Sequence, residues 1–341
     1  MFKYDNNILK AIKNVCKGKK HIKLTIGVFS NGEKDIRVFG ENDEIQNENY
    51  IYEIASITKT FTASLLSKYI FENKISLHDS IQKYFNGLDN TKYYPTLKRL
   101  ATHTAGYSMA LPFSWREFLS TPLKGFPPLP NVDMIKVVLQ KNQRKNKDYP
   151  WQYSNYGFIL LGHAIGVISG KGYWNTMDDF LSNELELQKT YTGTCSEKNL
   201  HGYNRNNEDC GNYIFEKSPD IPSGEGDISS TADDLLKYAE LNMYEKKPYL
   251  SLCHKKHADV SSMFATVLQK AAGVNKIDMG LGWMLDKDNN DILWHGGDSD
   301  FFNSLLIINK NKKLAFVVLS NYKMHNYKIG FSVFEYLQKN T

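Results

Sequence analysis

The sequence predicts an α+β fold: an antiparallel sheet assembled from both chain ends and flanked by helices, with a mostly helical region inserted between them. Three observations lead there. Near the N-terminus, residues 23–29 (KLTIGVF) and 35–39 (DIRVF) are β-rich and flank Ser30-Asn31-Gly32-Glu33. Asn-Gly between two such runs marks a tight hairpin turn. The C-terminal end is similar, with short strand candidates at 281–286, 292–295, 303–308 and 313–320. Two of the gaps between them, Lys287-Asp288-Asn289-Asn290 and Asn309-Lys310-Asn311-Lys312, are turn-like. Between the ends the pattern changes: Phe61, Leu65, Leu66, Tyr69 and Ile70 fall on one helical face, and helical stretches recur at 131–140, 156–169 and 231–241. Helices at 7–16 and 325–337 open and close the chain. Residues 1–55 with 275–341 are thus expected to form a sheet subdomain and 56–274 a helical one, with a site at their interface.

Composition narrows the function classes. At 341 residues the chain is one large domain or two, and 41% hydrophobic with 23% charged residues excludes a disordered tail protein. A net charge of +5 is too weak to argue for nucleic acid, and the basic run 141–147 reads as a solvated loop. The longest apolar stretches, such as 314–319, fall far short of the ~20 residues a membrane span needs. The first twenty residues hold no apolar signal core, so the chain as it stands is expected in the cytoplasm; the alternative is export with a native signal removed. Cys16, Cys195, Cys210 and Cys253 form no C-x-x-C pair and are expected as buried thiols, Cys195 with Cys210 being the one bridge considered.

Common catalytic signatures are missing: no G-x-S-x-G elbow, no phosphate loop and no H-E-x-x-H. Gly170-Lys171-Gly172 and Gly224-Glu225-Gly226 lack the third glycine of a dinucleotide loop. Cys253, His254 and His257 offer no closed metal set and read as part of a surface Lys/His segment, so neither metal nor cofactor is expected. What remains is Ser56-Ile57-Thr58-Lys59. Three positions apart on a helix, Ser and Lys project from one face, where a neutral amine can take the proton of an otherwise unreactive alcohol. The segment before Ser56 reads as extended, which places the serine at a helix N-terminus with free N–H groups nearby. The spacing alone is weak, since Ser80 and Lys83 repeat it, and Tyr-x-Asn occurs at Tyr4, Tyr84, Tyr153 and Tyr173.

Order adds specificity. After the Ser56 block come LKRLATHTAGY (97–107), WQYSNYGFILLGHAIGVISG (151–170), SGEGDISSTADDLLKYA (223–239) and a final block over 280–321 containing His295-Gly296-Gly297. This succession resembles the serine β-lactamase and penicillin-binding-protein superfamily. The similar branch holds class C β-lactamases, D-Ala-D-Ala carboxypeptidases, D-aminopeptidases and family VIII esterases. The resemblance covers nearly the whole chain and implies a β-lactamase/transpeptidase-like fold. It makes Ser56 the acylated nucleophile, Lys59 its partner, Tyr153 the proton shuttle and Asn155 the amide that holds the substrate. His295, Gly296 and Gly297 fall where many members have Lys-Thr-Gly, and the backbone N–H groups of Ser56 and Asp298 would form the oxyanion hole. His103, in a further family block, reads as structural.

On this basis the chain is expected to be a serine hydrolase acting on amide or ester bonds of small or peptide-like substrates of the D-amino-acid-peptide or β-lactam type. A short-chain esterase and a penicillin-recognising sensor without turnover are the alternatives. Lys59 and Tyr153 are expected to share one proton, burial lowering the lysine and the nearby cation lowering the phenol. A histidine at 295 is charged only when its own pKa exceeds ambient pH, so carboxylate recognition is less firmly implied than with lysine. There is no E-x-x-L-N block, which favours tyrosine-assisted deacylation. The proline-rich stretch 111–131, with Phe113, Trp115 and Phe126, reads either as a pocket wall or as an ordinary connection.

Overall fold

The structure is a computed structural model. It describes residues 4–109, 131–193, 199–212, 217, 220, 222–260, 277–286, 288, 291–324 and 326–340. The stretch 111–130 and Cys195 lie outside the described residues, so neither the expected pocket wall nor the Cys195–Cys210 pairing is addressed; Cys16 and Cys253 are buried free thiols.

The N-terminal part contributes α1 (Asn6–Cys16), β1 (Leu24–Ser30), β2 (Glu33–Phe39), β3 (Glu44–Ile45) and β4 (Tyr52–Glu53). A 3-10 turn, Ala55–Ile57, leads into α2 (Thr58–Phe71), followed by α3 (Leu97–Ala101), α4 (Val132–Lys141), α5 (Asn155–Ser169) and α6 (Tyr173–Asp179). Then come β5 (Tyr191–Thr192), β6 (Gly202–Tyr203), β7 (Asp209–Gly211), β8 (Ile228–Ser230), α7 (Ala232–Met243) and α8 (Leu250–Cys253). The chain ends with β9 (Ala258–Asp259), β10 (Ile277–Met279), β11 (Met284–Asp286), β12 (Ile292–Asp298), β13 (Asn303–Asn309), β14 (Leu314–Ser320) and α9 (Asn326–Asn340).

The main sheet runs β3-β2-β1-β14-β13-β12-β11-β10-β9 with every described pair antiparallel. The two chain ends meet at β1 and β14, where Leu24 faces Ser320 and Ser30 faces Leu314. At the first hairpin, Asn31 (φ +50°) and Gly32 (φ +91°) both take left-handed conformations, the geometry a two-residue Asn-Gly turn requires. β1, β13 and β14 are buried on both faces, because helices cover the sheet from two sides. One apolar core lies between the sheet and the inner helices, and a second gathers side chains of α1 and α9 on the opposite face. Short side chains start the helices: Asp5 accepts from the Ile8 N–H, Asn131 from Met134, Ser154 from Gly157 and Thr231 from Asp234.

Two details differ from expectation. The residues predicted to give α2 a single apolar face sit in a helix buried nearly all round. Its hydroxyls are tolerated inside because they are bonded: Thr62 Oγ1 donates to the Gly224 carbonyl (2.7 Å), Ser67 Oγ to that of Tyr249 (2.7 Å), and Thr58 Oγ1 accepts from the Ile228 N–H (3.1 Å). The Cys253–His257 segment is at the surface only in part: Lys255 and Lys256 are exposed, as expected, but its first two residues are not. Cys253 and His254 are buried, because α8 docks on α2 and His254 is held between Glu245 and Asn242.

α5 passes so close to the turn before β8 that a Cβ on Gly162 would lie 1.5 Å from the Ser223 carbonyl oxygen. Gly162→Ala should therefore cost about 2–3 kcal/mol or more in urea unfolding, because backbone rather than a side-chain tip has to yield.

Candidate active site

Ser56 occupies the 3-10 turn at the head of α2. The preceding Ala55 has φ +45°, a conformation seldom adopted by a residue with a Cβ, so backbone strain sits immediately before the serine. β12 lies against this turn. The Ser304 hydroxyl donates to the Ile54 carbonyl (2.8 Å), and a Cβ on Gly297 would come within 2.1 Å of the same oxygen. Only glycine lets the strand approach that closely.

One turn beyond, Lys59 is completely buried. Its Nζ donates to Ser56 Oγ at 3.0 Å and to the Glu225 carbonyl at 2.6 Å, with Glu225 Oε2 at 3.5 Å. Burial brings the amine down to about 8, against the opposing pull of the Glu225 and Asp227 carboxylates. Tyr153 arrives from the segment before α5. Its phenol hydrogen-bonds Ser56, and Lys59 Nζ lies 5.0 Å from the centre of its ring. The phenol is raised well above its ordinary value by burial, with only a partial offset from the Ser56 hydrogen bond. This corrects the expectation that the neighbouring cation lowers it: desolvation dominates. Near neutral pH it is the amine, rather than the phenol, that stands close to losing its proton.

The other expected residues gather around this trio. Asn155 opens α5, and its buried Oδ1 has no partner, leaving an amide oxygen available. His103 (φ +59°) packs its ring at a tilt against that of Tyr153, with centroids 4.6 Å apart; its Nδ1 accepts from the Ser154 N–H (3.1 Å) and its carbonyl from the Gln152 N–H (2.9 Å). Those bonds fix the backbone that presents Tyr153. His295 lies in β12 with its ring 6.3 Å from that of Tyr153, and its Nδ1–H donates to the Gly296 carbonyl at 2.7 Å. Burial first, and Lys59 second, bring it down to about 3. It is a neutral imidazole whose Nε2 is buried without a partner. Tyr327 of α9 closes over Gly296, and Asp298 ends β12 opposite Asn303. The Ser80/Lys83 pair stays apart, Ser80 capping a 3-10 turn and Lys83 pairing with Asp79.

Sequence reasoning missed the turn 223–227. Asp227 Oδ1 accepts from the Ser223 hydroxyl (2.9 Å), the Gly224 N–H (3.0 Å) and the Tyr173 hydroxyl (3.3 Å), which folds the chain so that Glu225 meets Lys59. Burial raises Asp227 to about 6. The available signal was an acidic residue between two glycines in a block read above for a dinucleotide loop and as part of the family resemblance, with no role given to Glu225 or Asp227.

The sequence profile of the Beta-lactamase family matches residues 23–326, nearly the whole chain. The chain belongs to that family. Among curated family relatives, protein flp of Staphylococcus aureus is 23% identical over 290 residues, covering 79% of this chain and 52% of its own length. The chain thus spans about half the length of that relative. The fold matches the octameric penicillin-binding protein homologue from Pyrococcus abyssi (TM-score 0.75, 19% identity, 98% of this chain and 76% of that one). It also matches the Beta-Lactamase/D-Alanine Carboxypeptidase from Pseudomonas syringae (TM-score 0.74, 16% identity, 96% and 97%). The β-lactamase/transpeptidase fold is therefore established, as the resemblance implied.

The burial of His295 has a direct readout. Its ring resonances should remain those of a neutral imidazole as pH falls from 8 to roughly 5, whereas an ordinary histidine titrates near 6.5. A midpoint above 6 in an NMR titration would contradict the geometry described.

Proposed function

We propose that this protein is a serine hydrolase that cleaves amide or ester bonds of small or peptide-like substrates through an acyl-enzyme on Ser56. The observation that carries the reading is the buried Lys59 amine, 3.0 Å from Ser56 Oγ and lowered to about 8. At that value a useful fraction of the enzyme holds neutral amine at neutral pH, and a neutral amine can accept the serine proton as Oγ attacks a carbonyl. The N–H of Ser56, in the first turn of a helical segment, has no intrahelical acceptor, and with the Asp298 N–H it would receive the developing oxyanion. Two such donors contribute about 3 kcal/mol each to lowering the barrier. Tyr153, protonated and bonded to Ser56, is placed to relay a proton to the leaving group. In the second half of the cycle Lys59 and Tyr153 would draw a proton from water as it attacks the acyl-enzyme.

His295 bears on the substrate. A neutral imidazole with its proton on Nδ1 offers an acceptor at Nε2, where a lysine would offer a cation. This favours acyl donors that do not depend on a fixed positive charge opposite a carboxylate: D-amino-acid amides and peptides first, with short-chain esters as the second reading and β-lactams below both.

Fluorophosphonate should label Ser56 in the wild type and leave Ser56→Ala unmodified, while nitrocefin, p-nitrophenyl butyrate and D-Ala-p-nitroanilide rank the substrates. Turnover retained in Ser56→Ala would remove the mechanism. kcat/KM for an uncharged ester should rise with pH through a midpoint at about 8, because the base must lose its proton before it acts. Tyr153→Phe should slow acylation ~10²-fold or more; rates within a factor of two of wild type would exclude the phenol from proton transfer.

A further inference from the structure

A neutral amine has two N–H groups and one lone pair, so what surrounds the other directions of Lys59 Nζ decides where the lone pair points. The Glu225 carbonyl stands 2.6 Å away and the Glu225 carboxylate 3.5 Å away, while Ser56 Oγ lies at 3.0 Å. One residue therefore supplies two of the acceptors. Resting on the reading of Lys59 as the base, we propose that Glu225 is a positioning residue whose carbonyl and carboxylate engage the two N–H groups of the amine and leave its lone pair for the Ser56 proton.

The two contacts are separable. The carbonyl is fixed by the 223–227 turn, through Asp227 and through the bond from Thr62 Oγ1 to the Gly224 carbonyl. The carboxylate reaches Lys59 from a partly exposed side chain. The titratable groups facing the amine are Glu225 and Asp227 of this turn, Tyr153 ahead of α5, His103 after α3 and His295 on β12. Burial keeps both histidines neutral and the phenol protonated. Asp227 already accepts two bonds within its own turn and one from the Tyr173 hydroxyl of α6. Among the described residues Glu225 is thus the anion at ion-pair distance from Lys59. It opposes the effect of burial, and so keeps the amine cationic to a higher pH than burial alone would allow.

The test is the second-order rate of Ser56 labelling by a fluorophosphonate as a function of pH, which needs no knowledge of the natural substrate. In that reaction a bond forms between Ser56 Oγ and phosphorus, the P–F bond breaks, fluoride leaves and the serine proton passes to Lys59. Glu225→Gln retains the carbonyl and removes the charge. The ammonium then loses its attraction to the carboxylate, so the ascending limb should move to lower pH by about one unit. Labelling near pH 6 should rise roughly tenfold over wild type, one unit being a tenfold change in the neutral fraction. Glu225→Asp, with the charge restored, should bring the midpoint most of the way back. If Glu225→Gln does not fold, Glu225→Ala reads the same displacement. A slower reaction at every pH with an unmoved midpoint would mean a merely structural role and would overturn the proposal, leaving Ser56 and Lys59 untouched. A wild-type enzyme unlabelled at any pH would overturn the acyl-enzyme reading and this inference together.

Discussion

The structure depends on one unfavourable act, the enclosure of a lysine amine inside the protein. Moving Lys59 from 10.5 to about 8 corresponds to roughly 3 kcal/mol at neutral pH, charged against the folded state. The cost is present below the folded value and disappears as pH rises past the unfolded one. A domain stable by only ~5–15 kcal/mol accepts such a burden when the rest of the structure holds the group in place. Two neutral acceptors do much of that holding, Ser56 Oγ and the Glu225 carbonyl, and both are delivered by turns rather than by long elements.

Those turns explain much of the surrounding architecture. The strained Ala55 presents Ser56, and the 223–227 turn is wound around the buried carboxylate of Asp227. α2 is surrounded by protein over most of its length, and its hydroxyls serve as struts to the segments that close on it. β12 supplies the remaining wall, pressed onto the Ser56 turn where Gly297 allows contact with the Ile54 carbonyl. The sheet behind it is buried on both faces along β13 and β14 and gives that wall a rigid backing.

Electrostatically the pocket is economical. One cation and one nearby carboxylate meet at Lys59 and Glu225, while two histidines that look chargeable in sequence are neutral in place. Each imidazole has a hydrogen-bonding task instead: His103 accepts from Ser154 and steadies the Tyr153 backbone, and His295 donates to Gly296 within its own strand. Under the proposed acyl-enzyme reading, discrimination among acyl donors would rest on shape and hydrogen bonding more than on a fixed charge.

Local pattern was enough for many of the elements, while the candidate site residues came from the family resemblance that the order of blocks carries. Asn31-Gly32 marked the first hairpin, the alternation of β-rich runs and polar turns marked the C-terminal strands, and the order of five blocks singled out Ser56, Lys59 and Tyr153 from identical spacings elsewhere. These features are legible because turn chemistry, periodicity and helix capping act over a few neighbouring residues. Burial and long-range contact are different, being sums over segments distant in the chain. Hence α2, read as one-sided, is enclosed; His254, read as part of a surface segment, is buried against Asn242 of α7; and the Tyr153 phenol rises where a neighbouring cation alone would have lowered it. Glu225 belongs to the same class: its meeting with Lys59 spans 166 residues of chain and exists only once Asp227 has folded its turn against α2 and α5. Sequence determined which groups the protein carries, and the tertiary structure decided which of them are charged and which touch, because desolvation and proximity are properties of the packed chain.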